Sequence, residues 1–161
     1  MSNKKQLLMQ YGVLHKWFRN ALVDFTDEET NQRVNKNMNH VKWLAGHIVN
    51  GQYAYALLAG VKTERKWNDL FEGMGKTKAL DNYPYPGIEE IKAEWEHLHQ
   101  SVTVKLEELT EDELEKELQG TPLGDIKVID LWSFMNIHQC YHIGQLGILR
   151  RGLGKDPMSL R

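Results

Sequence analysis

The sequence predicts an all-α protein: a four-helix bundle with a long crossover between helices two and three and a short extra helix before helix four. Apolar residues recur at steps of three and four through four long stretches, the pattern of helices that each bury one stripe. Alternating β-branched or aromatic runs, which would mark strands, are almost absent. With 161 residues the chain is expected to form one domain, 1–161, long enough to bury a sizeable core.

The first helix is expected from about Lys4 to Phe25, where Leu7, Tyr11, Leu14, Phe18, Ala21 and Phe25 share a side. His15 and Trp17 flank that stripe and read as packing or rim residues. Thr26 to Asn37 is polar and rich in cap formers, so it reads as a connection, and Asn37 or Asn39 is placed to cap the next helix. That second helix, about Met38 to Ala59, turns Val41, Leu44, Ile48, Tyr55 and Leu58 inward, with His47 beside Leu44 and Ile48 and with Gly60 marking the end. His40 reads as a helix-start residue facing water.

From Val61 to Gly87 the periodicity is lost. A link this long exceeds the roughly 2–8 residues that join adjacent helices, so it is expected to cross to the far end of the bundle or to cover a site. Trp67, Leu70 and Phe71 within it are expected to form a short docking turn. Its Gly-Met-Gly-Lys fragment lacks the spacing and the preceding strand of a phosphate loop.

The third helix, about Ile88 to Leu109, has the clearest pattern, with Ile88, Ile91, Trp95, Leu98, Val102, Leu106 and Leu109 inward and its acids and lysines on a solvated face. Thr110-Glu111-Asp112-Glu113 matches a capping box and is expected to start a short helix through about Leu118. Gly120 to Asp125 reads as a turn, and Ile126 to Ile129 as a brief extended lead. The fourth helix is then expected from about Ile129 to Arg151, stopped by Gly152, Gly154 and Pro157, with Arg150 and Arg151 where cations suit the helix dipole.

Composition narrows the function classes. Twenty basic groups against 22 acidic ones leave a net charge of -2 with no basic tract, which disfavours nucleic acid and anionic membrane as partners. One cysteine rules out an internal disulfide and fits a reducing compartment. No stretch has the roughly 18 apolar residues of a membrane span, and the N-terminus lacks signal-peptide features, so a cytoplasmic address is expected.

The chemistry concentrates in Asn136–Leu149, N-I-H-Q-C-Y-H-I-G-Q-L-G-I-L. His138 and His142 stand four apart in a helical run, so both imidazoles lie on one face at a spacing that suits a shared metal ion. His47, in a second apolar helical run, is the best candidate for a third ligand. A histidine in an apolar stripe is more often a core residue with satisfied nitrogens, and H-x-x-x-H without the glutamate of the zinc proteases is a weak motif. His97 and His99, two apart, point to different sides of their helix. Cys140 is turned about 200° from His138 and reads as a small core or interface residue, and Tyr141, likewise turned from the site, reads as a packing residue.

The block from His138 to Gly154, H-Q-C-Y-H-I-G-Q-L-G-I-L-R-R-G-L-G, preceded some ninety residues earlier by W-L-A-G-H-I-V at Trp43–Val49, resembles the DinB/YfiT-like family of metalloenzymes over essentially the whole chain. The resemblance implies a four-helix bundle whose divalent metal is held by three histidines, matching His47, His138 and His142 here, and a homodimer. It also implies, for some members, transfer or isomerisation reactions that use a low-molecular-weight thiol. Three neutral imidazoles leave a coordination position open, as in catalytic zinc sites, where water or a thiol can be activated. Zinc is the first expectation, with nickel or another transition metal as alternatives. Gln145, one turn beyond His142, Asn50 and Trp43 are the candidates for contacts around the ligands. Two readings stay open: a metal-dependent enzyme acting on a small molecule, of transferase or hydrolase type, and a non-catalytic metal-stabilised binding or stress-associated interaction module.

Overall fold

A computed structural model describes residues 2–73, 75–121 and 123–161. Met74, within the Gly-Met-Gly-Lys fragment, and Pro122, within the expected turn at Gly120–Asp125, lie outside the described residues.

Four long helices form the bundle: α1 (Asn3–Ala21), α2 (Val41–Leu58), α4 (Ile88–Glu108) and α6 (Val128–Gly152). Each packs on two others. Both α1 and α2 lie beside α4 and α6, so the consecutive pair α1 and α2 occupies opposite corners. The expected stripes of α1 and α4 are buried, but Glu94, expected on the solvated face of α4, is buried too, because the Tyr53 hydroxyl and the Lys66 ammonium donate to its carboxylate. Ser2 caps α1 by accepting from the Lys5 amide. The helix stops at Ala21, short of Phe25, because Asp24 adopts φ 62 and reverses the chain. Phe25 is still buried, beneath the guanidinium of Arg150 at 5.7 Å.

Helix α2 is covered nearly all round, by α4, α6 and the crossover, which buries polar as well as apolar positions along it, except in its last turn, where Leu58, expected inward, is exposed. Its start corrects two expectations. Neither Asn37 nor Asn39 caps it; His40 does, its Nδ1 accepting from the Trp43 amide at 3.1 Å. Nor does His40 face water: it is 1% exposed, with Tyr85 of the crossover edge-on to its ring at 5.4 Å. Asn39 instead holds the crossover, its side-chain oxygen accepting from the Ala79 amide. Burial accordingly pushes the His40 pKa down.

The crossover carries a single turn of helix, α3 (Asn68–Phe71), entered through Trp67 at φ 58 and anchored by the fully buried Phe71. It packs against α2. Asp27, in the first connection, ties three segments together. One carboxylate oxygen accepts from the buried Lys42 ammonium of α2 and the other from the Ile88 amide that opens α4, both at 2.8 Å. Gly87 offers α4 no side-chain cap, so Asp27 supplies one from a distant segment.

After α4 comes α5 (Glu111–Leu114), opened by the capping box of Thr110 and Glu113. It ends at Leu114 instead of Leu118. The following residues pair as an antiparallel hairpin, β1 (Glu117–Thr121) with β2 (Gly124–Lys127), in which Leu118 faces Ile126. Gly120 at φ 65 and Gly124 at φ 88 supply the left-handed backbone that the reversal requires. Inside the bundle, Gln139 of α6 donates to Gln52 of α2, which donates to the Tyr11 hydroxyl of α1. No helix among the described residues is long and apolar enough to cross a membrane.

Candidate metal centre

Along the contact between α2 and α6 the two helices run antiparallel, which sets His47 opposite His142 and Gly51 opposite His138. The local spacing of His138 and His142 therefore becomes a three-membered cluster through one tertiary contact. The Nε2 atoms of His47 and His142 are 3.3 Å apart and those of His142 and His138 3.2 Å. One ligand nitrogen from each of the three residues lies within 4.8 Å of the others, and this group could hold a metal ion. Two nitrogens each about 2.05 Å from a tetrahedral ion are about 3.3 Å apart, so the spacing of adjacent donors fits such an ion. The ring planes meet at 84°, 76° and 67°, as rings do when they converge on a point and do not stack.

The protons are placed by what the far nitrogens touch. His47 Nδ1–H donates to the Phe71 carbonyl at 2.8 Å, and His142 Nδ1–H donates to Gln145 Oε1 at 2.8 Å. Each neutral ring carries one N–H, so in both residues Nε2 bears a lone pair. Burial, first among the causes, holds the pKa values of His47 and His142 below the ordinary histidine range, with their hydrogen bonds to the Phe71 carbonyl and Gln145 Oε1 partly opposing it. For His138 burial and the two neighbouring imidazoles push it down to about 4. The cluster is thus neutral near pH 7. The facing lone pairs of His47 and His142, 3.3 Å apart, repel unless a cation or a proton of His138 lies among them.

His47 is fixed by four groups besides its hydrogen bond. Trp43 stacks parallel to it at 5.2 Å and 4°, and the indole N–H of Trp43 is itself anchored on the Leu70 carbonyl at 3.0 Å. Gly73 closes in so tightly that a methyl there would stand 2.8 Å from His47 Cε1. Asn50 donates from Nδ2 to the same Phe71 carbonyl that His47 uses, at 3.3 Å. Phe71 owes its position to Gly46, where a methyl would fall 2.3 Å from the Phe71 ring.

The structure thus brings His47, His138, His142, Gln145, Asn50 and Trp43 into one neighbourhood. It leaves Cys140 exposed on the outer face of α6, outside the ligand cluster. Tyr141 corrects its expectation. It does not pack in the core but stands 63% exposed with its ring 5.0 Å from that of His142, because among the described residues no helix covers α6 on that side. Phe134 lies 6.3 Å from His138 on the same outer face. His99 belongs to a separate stack with Tyr11 and His15 between α1 and α4. Sequence reasoning missed the Phe71 carbonyl, Gly73 and Arg65, whose charge acts on His47. The glycines of the crossover were the visible signal for the first two.

A search of curated proteins finds no match. Among solved structures, a conserved protein from Enterococcus faecalis superposes with a TM-score of 0.71 at 14% identity, covering 95% of this chain and 98% of that one, a likeness of fold. The sequence profile of the DinB superfamily matches residues 13–146, and with that span covering most of the bundle the chain belongs to the DinB superfamily.

Proposed function

We propose that the protein is a divalent-metal-dependent enzyme of transferase or hydrolase type in which His47, His138 and His142 hold the ion. The observation that carries this reading is the set of three Nε2 atoms turned toward one another at ion-binding distance, two of them with their only ring proton committed elsewhere. A divalent ion held there would supply Lewis acidity sufficient to activate water or a low-molecular-weight thiol at neutral pH. The chain's own part is orientation. Gln145 fixes the tautomer of His142, the Phe71 carbonyl fixes that of His47, Asn50 steadies that carbonyl, and Trp43 blocks rotation of the His47 ring. Zinc is the first candidate for imidazole donors, with nickel or another transition metal competing for the same nitrogens. A single exposed thiol suits a cytoplasmic address.

The test is metal analysis of protein never exposed to added metal, followed by titration with low-molecular-weight thiols and a panel of electrophiles and esters, comparing wild type with His142→Ala. Stoichiometric metal and turnover in the wild type, both lost in the variant, support the enzyme. Metal without turnover on any substrate supports a metal-stabilised interaction module. Wild-type protein that takes up no transition metal ends both readings.

We also propose a homodimer through the outer face of α6. Phe134, Ile137, Tyr141, Gly144 and Ile148 follow heptad spacing on that face, with no charged side chain from Leu131 to Leu149. Ile137 and Ile148 are 68% and 63% exposed. The four large side chains leave roughly 500 Å² of apolar surface uncovered, a major part of the about 800 Å² per partner in a stable interface. A second copy is the occupant that a self-complementary, uncharged stripe fits. Light scattering on wild type and Ile137→Glu decides it: a dimer that becomes a monomer supports the interface, and a monomeric wild type removes it.

A further inference from the structure

Arg65 lies in the crossover with its side chain exposed, yet its guanidinium is held in place. Nη2 donates to the backbone carbonyl of Asn50 at 3.0 Å, on the turn of α2 that follows His47. The next residue, Gly51, faces the site: a methyl there would be 3.7 Å from His138 Cε1. The contact therefore sets a permanent cation beside the imidazoles.

Two features separate this contact from an ordinary structural one. Asn50 is in the interior of α2, where its carbonyl already accepts from the helix, so Arg65 satisfies no orphan group at a helix end. Nor is there a carboxylate partner for Arg65 among the described residues. Glu94 is engaged by the Lys66 ammonium and the Tyr53 hydroxyl and Glu72 by the Lys76 ammonium, and Glu64, which precedes Arg65 in the chain, makes no ion pair with it among the described residues. Of the five guanidinium N–H groups, the structure uses those of one nitrogen. No acid answers it from the ligand cluster either, whose three members are all imidazoles.

We infer that Arg65 is an anchor for a carboxylate, so that the small molecule taken at this site is an organic anion whose charged end sits on Arg65 while its other end faces the three histidines. The inference deepens the metal reading above and rests on it for the second contact point. A divalent ion among neutral imidazoles keeps its charge uncompensated, and Arg65 adds to the same local field in a chain whose net charge is -2. A planar guanidinium suits the two-pronged geometry of a carboxylate.

The test uses the full chain, metal-free and loaded with Co²⁺, titrated with benzoate and with its uncharged analogue benzamide. The visible band of cobalt reads binding at the metal, and the ¹⁵N signal of the arginine side chains, assigned through Arg65→Gln, reads the anchor. Benzoate is expected to shift the Arg65 signal and benzamide to leave it unmoved, whereas a benzoate-shifted cobalt band with an unmoved Arg65 signal would place the carboxylate on the metal and overturn the anchor. Arg65→Gln should weaken benzoate about ten- to a hundredfold, the worth of a hydrogen bond to a charged group, and leave cobalt stoichiometry unchanged. Arg65→Lys should recover part of the loss. Equal benzoate affinity in wild type and Arg65→Gln overturns the anchor, and so does a variant that can no longer load cobalt, since Arg65 would then be a structural tie for α2. If the wild type binds no cobalt, the metal reading has failed by itself. The anchor is then judged on the metal-free titration, where an unshifted Arg65 signal overturns it.

Discussion

Gly46→Ala tests whether the packing of the crossover on α2 governs the site. The added methyl would stand 2.3–2.6 Å from three carbons of the Phe71 ring, well inside van der Waals contact, so the ring must move. Overpacking of this kind costs about 1–3 kcal/mol. Partial exposure of a phenylalanine that is now fully buried adds up to about 1.5–3 kcal/mol. Against this, alanine is better than glycine inside a helix by about 1 kcal/mol. The net expectation is a loss of about 2–4 kcal/mol, a fall of roughly 5–15 °C in Tm for a chain of this size. The Phe71 carbonyl moves with its ring, so His47 loses its orienting partner and metal affinity should drop about ten- to a hundredfold. Urea unfolding and a chelator competition measure the two effects. Gly12→Ala is the control: nothing lies within 4 Å of its added methyl, so only the helix term applies and stability should rise by up to about 1 kcal/mol. Gly46→Ala with wild-type stability and metal affinity would refute the claim that Phe71 is held by, and holds, this site.

Other outcomes follow from the same geometry. Gln145→Ala leaves His142 Nδ1–H without its acceptor, and metal affinity should fall about tenfold or more with the fold intact, measured by chelator competition and circular dichroism. His99 is lowered from its ordinary 6.5 to about 4, by burial first and the neighbouring His15 second. Between those values the unfolded chain takes up a proton that the folded chain refuses, so stability declines as pH falls from about 6.5 toward 4 and levels off below. The loss is at most about 3 kcal/mol and smaller for a partly exposed ring. His99→Gln should flatten that part of the urea-midpoint profile between pH 7.5 and 5, and an unchanged slope would assign the decline to other groups. Asp27→Asn strands the buried Lys42 ammonium and weakens the start of α4, which should cost about 3 kcal/mol in urea unfolding; a cost below about 1 kcal/mol would mean that water reaches Lys42.

The helices of the bundle differ in how openly the sequence displayed them. In α1 and α4 one side meets the core and the other meets water, so apolar residues are confined to one stripe and the period can be read directly. In α2 burial on nearly every side blurs the period, and the burial of His40 is not legible locally because the segment that covers it, at Tyr85, lies more than forty residues further along. The hairpin was not legible. Its inward pair is Leu118 and Ile126 alone, its remaining positions are polar or glycine, and its strands exist through pairing with each other and not through any local preference.

His138 and His142 were readable as a pair because α-helix geometry alone puts residues four apart on one face. His47 joins them only through the antiparallel contact of α2 with α6, between residues 95 positions apart in the chain. The sequence by itself determined which segments form the four long helices, which faces of α1 and α4 turn inward and which histidines had the right local spacing, because these follow from interactions within about one turn of helix. Tertiary structure decided the rest: the acceptor on Phe71, the closeness of Gly73 and the nearness of Arg65 to the cluster. A backbone carbonyl has no side-chain identity to read, and a distance between remote segments is set by how whole helices pack.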